Sequence, residues 1–379
     1  KAKAVVAEQQ KIFGEYPKFD YGQYLFIADY LPYVDGDGME HRNSTILTDE
    51  RSLKEANYAQ IETLSHEFFH AWNVERLRPA DLEPFDFHRA NMSRHLWFAE
   101  GVTNYYGKLV LSRTGHFDLA TYLDKTVTAL NKVRLSPGRQ FFPATGMSEM
   151  APFVDAAVSV DPTNYANSYI SYYTYGEVLG LALDLTLRSQ FEGLSLDLLM
   201  RKLWQEYGKV GRPYTEQDLQ QALAELTANP DFAKNFFNRY INGQQLPDFE
   251  ALFTAMGLEL AVAKPTQAFV TAATLVEQDK TLKVDSNTLI GTPLYQAGVD
   301  KGDVLLTLGR YKLSSKAQWD KALSRHQAGE SVELSFRSRG KTYTTQVTFS
   351  ADPSWVLTEN KEATTAQLAR RALWLKAQR

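Results

Sequence analysis

The sequence contains no cysteine, which excludes disulfides and thiolate metal sites outright. It does not fix a compartment, because a chain without cysteine is at home in the cytosol or outside it. Long hydrophobic runs are also missing: none approaches the ~20 residues of a spanning helix. Neither sign of charge dominates. Lys and Arg number 41 against 45 Asp and Glu, and the net charge of -4 argues against a nucleic-acid or anionic-membrane partner. There is no internal repeat and no low-complexity tract. The chain begins at Lys1 rather than Met, so a processed form or a piece that has lost its front is expected. What is present is ordinary for a soluble globular protein, with 44% hydrophobic and 23% charged residues in a chain of 379. That length predicts two or three domains rather than one core. The aromatic share is 12%, which large buried clusters explain at least as well as a binding surface does.

Along the chain, Ala4–Phe13 reads as a helix, and Tyr24–Ala28 and Ser44–Leu47 read as strands separated by a Gly-Asp-rich turn at Asp35–Gly38. From Tyr58 the period changes, with Ile61, Leu64, Phe68 and Trp72 spaced by three and four as on one face of a helix. Ser93 is a candidate cap for a second, aromatic-rich helix running to Ser112. Residues 116–257 read as almost entirely helical, and short β-rich runs follow Gly257. The expected organisation is a catalytic subdomain at 1–115, a helical subdomain completing it at 116–257, a β-rich module at 258–350, and a linker with a solvated basic helix at 351–379.

The decisive segment is His66-Glu67-Phe68-Phe69-His70. Two histidines four apart lie one helical turn apart on the same face, so both imidazoles can reach one tetrahedral zinc. Glu67, one residue past the first, stands where a general base for the attacking water must stand. A third ligand is needed from elsewhere. Glu100, set among Trp97, Phe98, Ala99 and Val102, is a carboxylate that should not be buried without a partner, and zinc supplies one.

The H-E-x-x-H string, Trp72 after it and the run Glu100-Gly-Val-Thr-Asn-Tyr-Tyr106 resemble the gluzincin metallopeptidases. The longer string His66–Pro79 is similar to the signature of the glycyl aminopeptidase family. The gap of 29 residues between His70 and Glu100 is longer than in better-known aminopeptidase relatives. Their spacing would point to Arg89, next to His88, and a guanidinium cannot bind zinc. Ala99 also stands where those relatives have Asn. The resemblance implies an α+β multidomain fold: a thermolysin-like catalytic domain with a mostly helical C-terminal part, then a PDZ domain. It implies one Zn²⁺ per chain on His66, His70 and Glu100. Gly38-Met39-Glu40-His41 resembles the motif whose Glu binds the substrate's free α-amine, which assigns that role to Glu40. Tyr173-Thr174-Tyr175-Gly176 resembles Y-x-K-G, whose first Tyr hydrogen-bonds the tetrahedral oxyanion. Tyr173 is the match, with Tyr172 and Tyr175 as neighbours that leave the register open. The implied activity is removal of small N-terminal residues, Gly or Ala, from peptides with a free N-terminus. The implied family architecture also places a β-rich domain ahead of the catalytic one. The compartment leans to the bacterial periplasm or cell envelope, with the cytoplasm as the alternative.

Gly291-Thr-Pro-Leu-Tyr-Gln-Ala-Gly298, followed by Gly302-Asp303-Val-Leu-Leu306, is similar to bacterial PDZ modules. Such modules capture an extended peptide at a sheet edge. Residues 272–275, where a carboxylate-cradling loop is expected, lack glycine, so packing on the catalytic part and peptide capture both stay open. Two other functional readings compete with the aminopeptidase: an endopeptidase of the same fold, and a PDZ-bearing binding protein with a degenerate peptidase fold.

Overall fold

The computed structural model describes residues 1–154 and 164–376. The last three residues of the expected basic helix lie outside them. Helix α1 (Ala2–Phe13) leads into a small sheet of β1 (Leu25–Tyr30), β2 (Gly38–His41) and β3 (Ser44–Asp49). The strand order is β1-β3-β2, with β1 parallel to β3 and β2 antiparallel to it. Helix α2 (Ile61–Phe69) carries the two histidines and Glu67. Its apolar spacing buries Phe68 and Phe69, and beyond its end Trp72 stacks on Phe13 at 4.7 Å. A π-helical turn at Trp97–Val102 runs into α3 (Thr103–Arg113).

The helical part continues with α4 (Leu119–Leu135), α5 (Tyr172–Gln190), α6 (Leu196–Leu203), α7 (Glu216–Thr227), α8 (Pro230–Phe236) and α9 (Phe249–Ala255). Local chemistry sets several of these starts. The Asp118 carboxylate accepts the Thr121 N–H ahead of α4, and Thr215 with Asp218 forms a reciprocal capping box ahead of α7. One hydrophobic core runs from Val5 on α1 to Leu258 and takes in Leu357 and Trp374 from the end of the chain. Among the described residues, no helix is long and apolar enough to cross a membrane.

Beyond α9, strand β4 (Leu258–Phe269) opens the β-rich part, followed by β5 (Leu275–Gln278), β6 (Thr281–Val284), β7 (Val304–Leu308) and β8 (Tyr311–Lys312). Helix α10 (Lys316–Leu323), β9 (Ser331–Ser338), β10 (Lys341–Thr348), β11 (Ser350–Glu359) and α11 (Thr365–Leu375) complete the chain. The sheet order β10-β9-β7-β6-β5 encloses a second core that includes Leu282, Leu305, Leu334 and Trp319.

Three expectations need correction. The segment from Pro353 is not a linker: β11 pairs antiparallel with β4, and Asn131 on α4 receives the Trp355 N–H at 2.9 Å. Nor is the terminal helix merely a solvated basic face. Trp374 on α11 is fully buried in the large core, where its indole N–H donates to the Tyr105 hydroxyl at 3.0 Å. Burial of one large aromatic outweighs the basic surface of that helix. The Ser93 cap also fails, because its hydroxyl donates to Asp81 at 2.8 Å and accepts the His95 N–H; the helix starts at Trp97.

Candidate metal centre

Residues on two helices converge. His66 Nε2 lies 3.2 Å from Glu100 Oε2, His70 Nε2 lies 3.2 Å from the same oxygen, and the two imidazole nitrogens are 3.1 Å apart. Ligands of a tetrahedral zinc with ~2.05 Å bonds stand about 3.3 Å from one another, so the three atoms fit that ion. The outer nitrogen of His70 supports the same reading. Its Nδ1–H donates to the Asn73 carbonyl at 2.6 Å, which leaves the Nε2 lone pair facing the centre. Asn73 is itself fully buried, and its amide N–H groups reach the carbonyls of Phe98 and Ala99 and the Thr103 hydroxyl. One side chain therefore ties the end of the histidine helix to the turn that carries Glu100. No role for Asn73 was legible in the sequence beyond its place in the His66–Pro79 string.

Charge and burial act in opposite directions here. Burial pulls the His66 imidazolium down, so His66 is held neutral. For His70 burial acts the same way, but the Glu100 carboxylate overrides it and pushes the group up to about 10. Burial would raise Glu100, yet the two imidazoles hold it well below the usual carboxylate range. The cluster thus shares positive charge around one carboxylate, and a divalent cation satisfies the same three groups when the proton leaves.

Glu67 sits on the open side of this cluster. It is 6% exposed, and its Oε2 has no hydrogen-bond partner. Burial pushes its carboxyl up to about 8, with the charges of Glu40, Glu100 and Asp37 adding to the rise and His70 opposing it. A carboxylate with an unused oxygen and a raised proton affinity can accept a proton from water near neutral pH.

Strand β2 brings the remaining groups. Strand alternation puts Gly38 and Glu40 on one face and leaves Met39 outside, 57% exposed. A Cβ on Gly38 would meet Glu67 Oε1 at 2.2 Å, so the strand passes directly over the Glu67 carboxylate. Glu40 lies beside it, with one oxygen of Glu40, one of Glu67 and a ring nitrogen of His70 all within 4.8 Å of one another.

Tyr173 comes from the first turn of α5. Its ring centroid is 5.8 Å from that of His66, and Tyr172 stacks on it at 4.9 Å. Tyr175 points elsewhere: it is fully buried, burial pushes its phenol up to about 12, and its hydroxyl has no partner. Helix α5 meets the Glu100 turn at two glycines. A Cβ on Gly101 would come within 2.3 Å of Gly176 Cα, and one on Gly176 within 1.9 Å of the Trp97 carbonyl oxygen. This backbone-on-backbone crossing sets α5, at Gly176, against the turn that carries Glu100. The Gly in each motif was visible in the sequence, but that they touch was not. Arg89, at the position the shorter spacing would select, pairs with Asp86 at 2.9 Å on the surface.

Residues 59–179, which contain both histidines, Glu67, Glu100 and Tyr173, match the M61 glycyl aminopeptidase family. No curated protein matches the chain. Among solved structures, an aminopeptidase N family protein from Idiomarina loihiensis is similar at a TM-score of 0.82 and 23% identity, over 98% of this chain and 65% of that one. The chain therefore spans about 65% of that protein's length. A serine endoprotease from Yersinia pestis aligns over 23% of this chain and 30% of its own at 17% identity, with a TM-score of 0.20, too partial to bear on the fold. The family match supports a peptidase, and the structural likeness shows the fold.

Proposed function

We propose that the chain is a zinc-dependent aminopeptidase with a gluzincin, thermolysin-like centre, which removes small N-terminal residues such as Gly or Ala from peptides. The observation that carries this reading is the meeting, within a few ångströms, of three metal-ligand atoms, a partnerless buried carboxylate and a second carboxylate on an overlying strand. When bound at His66, His70 and Glu100, zinc supplies a Lewis acid that acidifies water and polarises a carbonyl. Glu67 takes the water's proton and delivers it to the leaving amine. The Tyr173 hydroxyl donates a hydrogen bond to the oxygen that becomes negative in the tetrahedral state. Glu40 receives the substrate's ammonium and so measures where the peptide begins. The smaller β-rich unit is read as a PDZ-like module that packs on the catalytic body.

The role of Glu40 separates an aminopeptidase from an endopeptidase. A charge-assisted hydrogen bond of this kind is worth ~1.5–3 kcal/mol. Glu40→Ala is therefore expected to lower kcat/KM at least about tenfold for glycyl and alanyl anilides with a free amine. N-acetylated substrates should be poor for the wild type and little changed by the substitution. Equal cleavage of free and acetylated substrates by the wild type would make Glu40 a bystander and the protein an endopeptidase.

A further inference from the structure

The oxyanion tyrosine stands in an exposed position in the architecture of a helix. Tyr173 is the second residue of α5, and Ser171 ahead of it offers no side-chain cap. First-turn N–H groups have no intrahelical partner, so such a turn frays unless the preceding residues are held. Those residues form a single helical turn, Tyr165–Ser168, and then an extended stretch through Tyr169. Two holds come from the catalytic body. A Cβ on Gly138 would come within 2.8 Å of the Tyr169 nitrogen, and the Ile170 N–H points at Met147 Sδ at 3.4 Å.

A third hold comes from the other core. Asn167 is 2% exposed, and its side chain is fully used. Its amide group donates to the Thr288 carbonyl at 2.9 Å and to Asn164 Oδ1 at 3.0 Å, while its Oδ1 accepts the Ile290 N–H at 2.8 Å. The side-chain amide thus pairs with the backbone of residues 288 and 290 as a neighbouring strand would. The Asn287 carboxamide oxygen lies 3.5 Å from the Ala166 nitrogen in the same place. Residues 287–290 belong to the β-rich unit. Thr288 is buried and its hydroxyl donates to the Val299 carbonyl at 2.7 Å, and Val299 lies in the second core.

We propose that Asn167 is a positioning residue: it clamps the approach to α5 onto the β-rich module, so the module sets the pose of the Tyr173 hydroxyl. This rests on the reading of Tyr173 as the oxyanion donor. The module is then a structural part of the active site rather than an appended domain, and anything that displaces residues 287–290 lowers turnover. A buried amide that loses its partners gives up both the bonds and the register they fix. Misplacement of a catalytic group by about 1 Å can cost on the order of a hundredfold in rate.

The test uses the zinc-loaded chain with four single variants and one double variant. Asn167→Ala removes the clamp from one side. Ile290→Pro removes the N–H donor from the other, at a side chain 40% exposed, and Ile290→Ala keeps that N–H as the control. Tyr173→Phe removes the hydroxyl itself. The expected result is a kcat about ten- to hundredfold lower for Asn167→Ala and Ile290→Pro, with KM and zinc content unchanged and Ile290→Ala close to wild type. Asn167→Ala added to Tyr173→Phe should cost little more than Tyr173→Phe alone, because the clamp acts through that hydroxyl. Amide exchange should rise in residues 169–176 and stay unchanged in α2. Multiplicative losses in the Asn167→Ala/Tyr173→Phe double variant, unchanged kcat in both clamp variants, or an equal rise of exchange in α2 would overturn the proposal. Failure of the underlying reading looks different: a wild type that hydrolyses no peptide refutes the aminopeptidase, while the exchange data still decide whether the clamp holds α5.

Discussion

Glu67→Gln is expected to lower kcat about a thousandfold while the protein keeps its metal, because a general base contributes ~10²–10⁴ in rate and the three ligand side chains are untouched. The same substitution has a second signature in the metal-free protein. Burial raises the Glu67 carboxyl from an ordinary carboxylate value to about 8, so the folded state holds this proton more tightly than the unfolded chain does. At acid pH both states are protonated and the group is neutral to stability. As pH rises through the unfolded carboxyl range toward 8, the folded state either retains a proton or buries a charge, and stability falls. Glutamine removes that penalty. The metal-free Glu67→Gln protein should therefore melt a few degrees above metal-free wild type at pH 8 and alongside it at pH 4.5, assuming a cost of ~1–3 kcal/mol. Scanning calorimetry at the two pH values checks this. Turnover within about tenfold of wild type would remove Glu67 from the role of base, and no pH dependence in the melting difference would show that burial does not raise its carboxyl.

The second large effect belongs to the helix crossing. Gly176→Ala places a methyl 1.9 Å from the Trp97 carbonyl oxygen, a backbone atom that cannot rotate away. Either α5 withdraws from the Glu100 turn or the π-helical turn deforms. Overpacking of this kind costs typically 1–3 kcal/mol, and a backbone clash lies at or beyond the upper end. The expected result is a melting temperature lowered by several degrees together with weaker metal retention, since Glu100 is three residues from Trp97. Gly107→Ala is the control: its Cβ would sit 3.4 Å from the His66 nitrogen, at the margin of ordinary contact, and should be tolerated. Equal stability and metal affinity in Gly176→Ala and wild type would show that the crossing does not position the ligand.

The contrast between these two sites shows what a sequence discloses. Local signals were readable: the His66–His70 spacing, the apolar face of α2, and the odd carboxylate of Glu100 in an apolar run all follow from one helix at a time. So did the extents of α4 and α7, where periodicity and caps agree. Contacts between elements were not readable. Gly101 and Gly176 are far apart in sequence, and only the packing of α5 on the π-helical turn gives each a reason to be glycine. Strand β2 was hidden for a related reason, since Gly38–His41 is four residues long and begins inside a turn signal. The tail from Pro353 was misjudged because β11 and Trp374 take their order from β4 and the large core, not from their own composition. Asn167 had no sequence signal at all, because the partners that tie it to the β-rich unit are backbone atoms more than a hundred residues away.

The central claim is that His66, His70 and Glu100 hold a catalytic zinc. Its most direct test is metal analysis of the purified chain, before and after chelation and after reconstitution with one equivalent of zinc, alongside hydrolysis of an alanyl anilide. The account predicts about one zinc per chain, loss of hydrolysis on chelation with the fold retained, and recovery on adding zinc back. Failure to bind zinc after reconstitution, or undiminished hydrolysis by the metal-free chain, would contradict it.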